Sequence, residues 1–162
     1  MLPDLLKKNL RVVICGTGVS NYSAKVGSYY AGAGNKFWQV LYDVGLTPVK
    51  LSSKDYQRLL EYGIGLTDLV KNKVGTDRSF SRCDFDVEEF EKKIQKYKPK
   101  VVCFNGKKAA KVYFNEKDVK YGFQKKQIGC TRFFVAPSTS NTANRWWDPK
   151  WWQKLSDFIK NE

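Results

Sequence analysis

The stretch LRVVICGTGVSNYS, residues 10–23, decides how the rest of the chain is interpreted. Its first part, LRVVIC, is a short apolar run rich in β-branched residues, which is typical of a buried β-strand. The part from Cys15 to Ser23 is small, polar and glycine-containing, and Cys15 is its only residue that can act as an acid, base or metal ligand. The loop is therefore either a plain turn or the floor of a pocket whose catalytic group lies elsewhere.

Strand-like runs alternate with helical patterns along the rest of the chain. Helices are predicted from NKFWQVLYDVG, SSKDYQRLLEYG, DVEEFEKKIQKYK, GKKAAKVYF and DPKWWQKLSDFIKN, and further strands from IGLTDLV, KVVCFN and RFFVAPS. No helix is expected directly after the GTG of residues 16–18. This alternation predicts one α/β domain over residues 1–162, with a mainly parallel central sheet flanked by helices on both faces.

Ligands of such sheets bind outside the carboxyl ends of the strands. Three loops follow predicted strands, at residues 16–34, 68–84 and 137–147, and we expect them to meet at that edge. The lysine-rich segment KVYFNEKDVKYGFQKK, residues 111–126, is expected to face solvent, and the four C-terminal tryptophans to lie mostly in the core.

The composition points towards a polyanionic partner. Lys and Arg number 29 against 16 Asp and Glu, a formal net charge of +13, which favours nucleic acid over the alternative of a merely solvated basic surface. The chain has no histidine, which excludes Ser-His-Asp and Cys-His catalysis and most zinc sites. No run reaches membrane-spanning length and the first residues do not resemble a signal peptide. We expect a cytoplasmic protein, nucleoid-associated in a prokaryote.

The four cysteines do not suggest a metal or disulfide framework. Cys15 and Cys103 lie in strand-like apolar runs and are predicted to be buried thiols, and no C-x-x-C pair occurs among the four. An iron–sulfur cluster is formally possible but lacks the usual close spacing.

Several candidate site residues remain ambiguous on the residues alone. The GTG motif lacks the last glycine of a dinucleotide fingerprint, because Asn21 stands there. Asp68, in GLTDLV, is either a turn residue or a catalytic carboxylate at a strand end. The loop PSTSNTANRWW is rich in groups that contact phosphates or base edges, or is simply hydrated.

Taken together, these segments resemble the mismatch-specific uracil-DNA glycosylase and thymine-DNA glycosylase family, within the uracil-DNA glycosylase superfamily. The most specific part is LRVVICGTGVSNYSAKVGSYYAGAGNKFWQVLYDVGLTP, and LLEYGIGLTDLV and VAPSTSNTANRW are similar to the next two landmarks. The resemblance implies a monofunctional glycosylase that flips uracil opposite guanine, or thymine in G:T, out of duplex DNA. It also implies a monomer that needs no metal or organic cofactor and no membrane.

Two departures from that family shift the expected chemistry. Gly18 stands where the family commonly places the asparagine that holds the attacking water, and Ser138 begins the second motif where the family has asparagine. The resemblance therefore implies that Asp68 is the catalytic residue. It implies a base-binding pocket of Gly16, Thr17, Gly18, Val19, Asn21, Ser23 and Tyr30. It further implies a DNA-intercalation loop of Ser138, Thr139, Ser140, Asn141, Thr142, Asn144 and Arg145.

Three alternatives stay open at this point. The STSNTAN loop also resembles the hypoxanthine-DNA glycosylase branch, which leaves the excised base undecided. Gly18 also fits a lesion-binding protein without catalysis. A nucleotide-binding enzyme that uses GTG as a phosphate loop is disfavoured, because no helix or acidic residue is expected downstream.

Overall fold

The fold is a three-layer α/β arrangement, described here for residues 2–161 of a computed structural model. The strands are β1 (Val12–Gly16), β2 (Ile64–Asp68), β3 (Val101–Asn105), β4 (Gly122–Ile128) and β5 (Thr131–Ala136). The α-helices are α1 (Asn21–Val26), α2 (Phe37–Asp43), α3 (Val87–Tyr97), α4 (Lys107–Phe114) and α5 (Pro149–Lys160). Short 3₁₀ helices span Ser53–Tyr62, Asp77–Ser79, Arg82–Asp84 and Asn141–Trp146.

The strands form one sheet in the order β2-β1-β3-β5-β4. The first four strands of that order are parallel, and β4 pairs antiparallel with β5 at the edge. The predicted mainly parallel α/β fold is therefore confirmed. From β1 the chain crosses to β2 on one side, whereas β3 lies on the other side, so the order reverses between β1 and β3.

Each face of the sheet has its own core, because side chains alternate along the strands. Val12 and Ile14 belong to a core with Phe37 of α2 and Trp152 of α5. Val13 and Cys15 belong to the opposite core, which includes the buried side chains Phe90, Phe104 and Tyr113 from α3, β3 and α4. Cys15 and Cys103 are buried free thiols, as the apolar runs predict.

Several helix ends follow the capping signals of the sequence. The Asp86 carboxylate accepts a hydrogen bond from the Glu89 N–H at the start of α3, and Asp148 accepts one from Lys150 at the start of α5. Among the described residues, no helix has the length and apolar character needed to cross a membrane.

Three local features differ from, or add to, what the sequence predicts, and the first of them contradicts a prediction. A helix, α1, does follow the GTG: the Ser20 side chain accepts from the Ser23 N–H, and Gly27 ends the helix at φ +75°. The helix predicted from SSKDYQRLLEYG is present over Ser53–Tyr62, as a 3₁₀ helix with a non-helical Asp55 whose carboxylate accepts a hydrogen bond from the Ser52 hydroxyl.

The third feature, an edge strand in the lysine-rich segment, was not predicted. The segment is largely exposed, as expected, but its second half forms the edge strand β4. Lys125 and Lys126 project from this strand into solvent. The strand pairing shifts register between Phe123 and Gln127. Outward lysines and an irregular register are common protections of an exposed sheet edge, and they also hide the alternation that identifies a strand.

Candidate active site

The candidate site lies at the carboxyl ends of the parallel strands, beside the point where the strand order reverses. The register pairs Gly16, the last residue of β1, with Asp68, the last residue of β2. The loops that follow are joined by backbone hydrogen bonds, from Val70 N–H to the Thr17 carbonyl (2.7 Å) and from Lys36 N–H to the Thr139 carbonyl (2.8 Å). The three loops therefore meet at one edge, as predicted.

These loops enclose a cavity of about 1030 Å³. A volume of that size accommodates a nucleotide with room for its neighbours. Most of the residues proposed from the sequence line the cavity: Gly16, Thr17, Gly18, Val19, Ser23, Tyr30, Asp68, Ser138, Thr139, Ser140, Asn141 and Thr142. Asn21, Asn144 and Arg145 are not among its lining residues.

Asp68 places a buried carboxylate in the wall of this cavity, with 5% of its surface exposed. Its Oδ2 atom is fully buried and has no hydrogen-bond partner among the described residues. The Lys71 ammonium lies 3.6 Å from Oδ2, which is an ion pair but too long for a hydrogen bond. Burial raises the pKa of Asp68 to about 6, against the opposing effect of Lys71. The group is thus mostly ionised at neutral pH and remains able to accept a proton.

Gly16 is required by the close approach of two functional groups. A Cβ atom at this position would lie 2.9 Å from Asp68 Oδ1 and 3.3 Å from the Tyr30 hydroxyl. Any larger residue would therefore push the carboxylate out of place. The glycine at the end of β1 lets the backbone, the acid and the phenol share one small volume.

Tyr30 is held in an unusual conformation at the cavity wall. Its φ of +53° is rare for a residue with a side chain, and such strain is concentrated at functional sites. One face of its ring stacks on Phe37, with ring centres 4.0 Å apart and planes 15° apart. Its carbonyl accepts from the indole N–H of Trp38 at 3.2 Å. The ring face that stacks on Phe37 is therefore closed to a flat ligand.

Comparison with known proteins assigns this arrangement to a family. Residues 3–157 match the family described as the uracil DNA glycosylase superfamily. The chain belongs to the uracil DNA glycosylase superfamily. It is thereby a DNA glycosylase, the enzyme class of that superfamily.

The fold has a counterpart among solved structures. It resembles the solution NMR structure of "a putative Uracil DNA glycosylase from Methanosarcina acetivorans", with a TM-score of 0.64 and 20% sequence identity, covering 98% of this chain and 96% of that one. At that identity the likeness concerns the fold.

In this glycosylase, packing explains why position 18 is glycine. A Cβ atom there would lie 2.7 Å from Cζ of Phe80 and 3.2 Å from Cβ of Val70. Phe80 is only 5% exposed, so it occupies the volume that a side chain at position 18 would need. Gly18 therefore belongs to a loop packed around Phe80, and an asparagine cannot be accommodated there without moving that ring.

Three of the base-binding residues implied by the resemblance either point away from the cavity or already have a hydrogen-bond partner within the glycosylase. Asn21 is exposed at the first position of α1, because the Ser20 cap starts a helix that directs it away from the cavity. Ser23 lines the cavity but is buried, and its hydroxyl accepts a hydrogen bond from the Ala31 N–H at 3.1 Å. The Thr17 hydroxyl donates to the Asp77 carboxylate.

The carboxyl end of β3 contributes a cavity residue that was not predicted from the sequence. Asn105, the last residue of β3, lines the cavity. Its amide group donates to the Thr139 hydroxyl (3.0 Å), and its carbonyl oxygen accepts from the Thr139 N–H (3.0 Å). The available signal was its place at the end of the buried strand KVVCFN, equivalent to that of Asp68 on β2.

Trp146 is the second omission, because the C-terminal tryptophans were expected mostly in the core. Trp152 is fully buried, but Trp146 is 59% exposed and lines the cavity. The Arg145 guanidinium lies over its ring, 5.5 Å from the ring centre. An exposed tryptophan with an adjacent cation suits contact with stacked bases.

The cavity carries basic groups but no metal-binding cluster. Lys107 and Lys111 of α4 line it, as does Arg78. Among residues 2–161, no three histidine, cysteine, aspartate or glutamate side chains are grouped to hold a metal ion.

Proposed function

We propose that this glycosylase excises uracil from G:U mismatches in duplex DNA, with thymine in G:T as a second substrate. The target base is flipped out of the helix into the cavity, and the N-glycosidic bond is hydrolysed without a covalent enzyme intermediate. The enzyme acts as a monomer. The observation that carries this proposal is the buried Asp68 carboxylate, placed by strand register beside Gly16 at the floor of a nucleotide-sized cavity.

Asp68 supplies two effects in this mechanism. Glycosidic cleavage passes through an oxocarbenium-like sugar, and a carboxylate in a site of low polarity stabilises the developing positive charge. The same group orients a water molecule and accepts its proton. Because the pKa of Asp68 is about 6, both effects are available at neutral pH and are lost as the pH falls below that value.

The other cavity residues hold the base and stabilise its departure. The Tyr30 ring face that points away from Phe37 stacks on the ring of the base, and the backbone of Gly16–Val19 approaches the base edge. Asn105 offers both a donor and an acceptor to that edge, once it exchanges its contacts with Thr139. Donors aimed at the base oxygens stabilise the anion that forms as the bond breaks.

Contact with the duplex comes from the rim of the cavity. Trp146 enters the base stack and fills the gap left by the flipped nucleotide, while the loop from Ser138 to Arg145 follows the phosphates. Lys107 and Lys111 add salt-dependent affinity that is independent of sequence.

The test is base release from labelled duplexes that carry uracil, thymine or hypoxanthine opposite guanine or thymine. Alkali reveals abasic sites, and Asp68→Asn is compared with wild type and with Asp84→Asn, a control on the same loop whose carboxylate pairs with Lys73 instead. We expect release from G:U to be lost in Asp68→Asn and retained in Asp84→Asn, with DNA binding kept in both.

Other outcomes are equally informative. Unchanged release in Asp68→Asn rejects that residue as the catalytic group. Release confined to hypoxanthine duplexes rejects uracil as the substrate and favours a deaminated purine. Mismatch binding with no release from any duplex would contradict the proposed reaction.

A further inference from the structure

Four oxygen atoms surround the Lys71 ammonium group, which lies beside Asp68 and the N-terminal segment. Lys71 Nζ lies 2.9 Å from Asp4 Oδ1, 3.0 Å from the Leu2 carbonyl, 3.2 Å from the Tyr29 hydroxyl and 3.6 Å from Asp68 Oδ2. The Lys71 side chain is 26% exposed, so this is a partly shielded cluster rather than a solvated surface pair.

We propose that Lys71 is a positioning residue for base excision, which keeps the Asp68 carboxylate in place and ionised, and that Asp4 limits this effect by competing for the same ammonium group. The inference rests on the proposed function, because it assigns a role to Lys71 only if Asp68 is the catalytic group.

The asymmetry of the two contacts carries the argument. Lys71 is within hydrogen-bonding distance of Asp4 but not of Asp68. The Lys71 ammonium group therefore interacts with two carboxylates, and its interaction with Asp68 is the weaker one. An unpaired carboxylate in a buried site is protonated readily, whereas a fully paired one stays ionised at much lower pH. Because Asp68 shares the ammonium group with Asp4, we expect its pKa to lie between that of an unpaired and that of a fully paired buried carboxylate.

Asp4 is held firmly enough to act as a fixed competitor. Leu5 pairs with Leu66 of β2 through two backbone hydrogen bonds of 2.9 Å, which fixes the segment against the sheet. The Asp4 carboxylate accepts from the Thr67 hydroxyl at 2.8 Å and pairs with Lys93 of α3 at 2.6 Å. Only 16% of the Asp4 side chain is exposed.

The charged and titratable groups that influence Asp68 come from several elements around it. Lys71 and, more distantly, Lys93 favour the carboxylate, and Asp4 disfavours it. Tyr29 and Tyr30 stay protonated because burial and Asp68 raise the pKa of each phenol. Burial likewise raises the pKa of Cys15 on β1, so this thiol stays neutral. Removing the charge of Lys71 is thus expected to raise the pKa of Asp68, whereas removing the charge of Asp4 is expected to lower it.

The experiment is the pH profile of single-turnover uracil release by the full chain, with the enzyme in excess of the DNA and of the dissociation constant of their complex. Lys71→Met is expected to move the acidic inflection upward by about 1 pH unit, the lower end of the range for an opposite charge this close. Asp4→Asn is expected to move it below that of wild type, since it removes a negative charge and frees the ammonium. Lys71→Arg is expected to keep the inflection near that of wild type.

Lys73→Met is the matched control, because Lys73 lies on the same loop but pairs with Asp84. It is expected to weaken DNA binding at most and to leave the inflection in place. Thermal unfolding of each variant verifies that the compared proteins are folded. A change of rate at all pH values with a fixed inflection would reduce Lys71 to a structural residue and overturn the inference.

Shifts in the same direction for Lys71→Met and Asp4→Asn would also overturn it, because competition requires opposite signs. The Asp68→Asn variant distinguishes failure of the proposed function from failure of the inference on Lys71 and Asp4 alone. If that variant retains release with the wild-type profile, the proposed function fails together with the inference. If it abolishes release while the profiles of the Lys71 and Asp4 variants coincide, only the inference fails.

Discussion

Replacing Asp68 with asparagine is expected to stabilise the protein at neutral pH while abolishing base release. Asparagine has nearly the shape of a protonated carboxyl group, so the substitution removes the charge and little else. The ionised carboxylate is buried beneath the cavity and its Oδ2 lacks a hydrogen-bond donor among the described residues. A buried charge without a hydrogen-bond donor lowers the stability of the folded state, so its removal is expected to raise that stability.

The magnitude follows from the pKa of Asp68. It is about 6 in the folded protein against an ordinary value of 3.8. At about 1.4 kcal/mol for each pH unit, this separation corresponds to about 3 kcal/mol. Between the two pKa values the folded state binds more protons than the unfolded state, so stability is lost as the pH rises through about 6. The advantage of Asp68→Asn is therefore full above pH 6 and disappears below pH 3.8.

Chemical denaturation of both proteins near pH 7.5 and near pH 4 measures this difference. We expect Asp68→Asn to be more stable by about 3 kcal/mol at the higher pH and by less than about 1 kcal/mol at the lower one. Asp84→Asn provides a control of opposite sign, because a backbone hydrogen bond from Ser81 lowers the pKa of Asp84. Equal or lower stability of Asp68→Asn at pH 7.5 would refute the reasoning.

Three further substitutions test the packing around the cavity. Gly18→Asn is expected to lose about 1–3 kcal/mol of stability by displacing Phe80, and to leave release unimproved; denaturation and release assays check this. Trp146→Ala is expected to weaken duplex lesion binding by about 1–3 kcal/mol while single-strand release changes less, as measured on paired substrates. Asn105→Ala leaves the buried Thr139 N–H unpaired and is expected to cost about 1–3 kcal/mol by denaturation.

Much of the fold was predictable because buried parallel strands and amphipathic helices have strong patterns. The run VVIC and the capped helix after Asp86 were both placed correctly. The edge strand β4 was not predicted because Lys125 and Lys126 interrupt the alternation of apolar and polar residues that identifies a strand. The helix α1 escaped because six residues ended by Gly27 are too few to show a period of 3.6.

The candidate site was predictable to the level of its loops. The expectation that loops after β1, β2 and β5 converge follows from sheet topology and needs no side-chain detail. The orientation of single residues was not predictable in this way. Whether Asn21 faces the cavity depends on the Ser20 cap, and whether Trp146 is exposed depends on how the last loop turns before α5. The first depends on a local side-chain cap, and the second depends on tertiary packing.

Strand register gives a physical reason why the proposed catalytic group lies on β2 rather than in the loop after β1. Phe80 fills the space beside Gly18, so a water-holding amide has no room there. Gly16 and Asp68 are paired neighbours across adjacent strands, and Asp68 Oδ1 would lie 2.9 Å from a Cβ at Gly16. The Asp68 carboxylate of β2 thus lies beside the start of the first loop, in the part of the cavity that a side chain of that loop would otherwise reach. Using Asp68 in place of an asparagine in the first loop also changes the proposed chemistry, because a carboxylate accepts a proton whereas an amide only orients water.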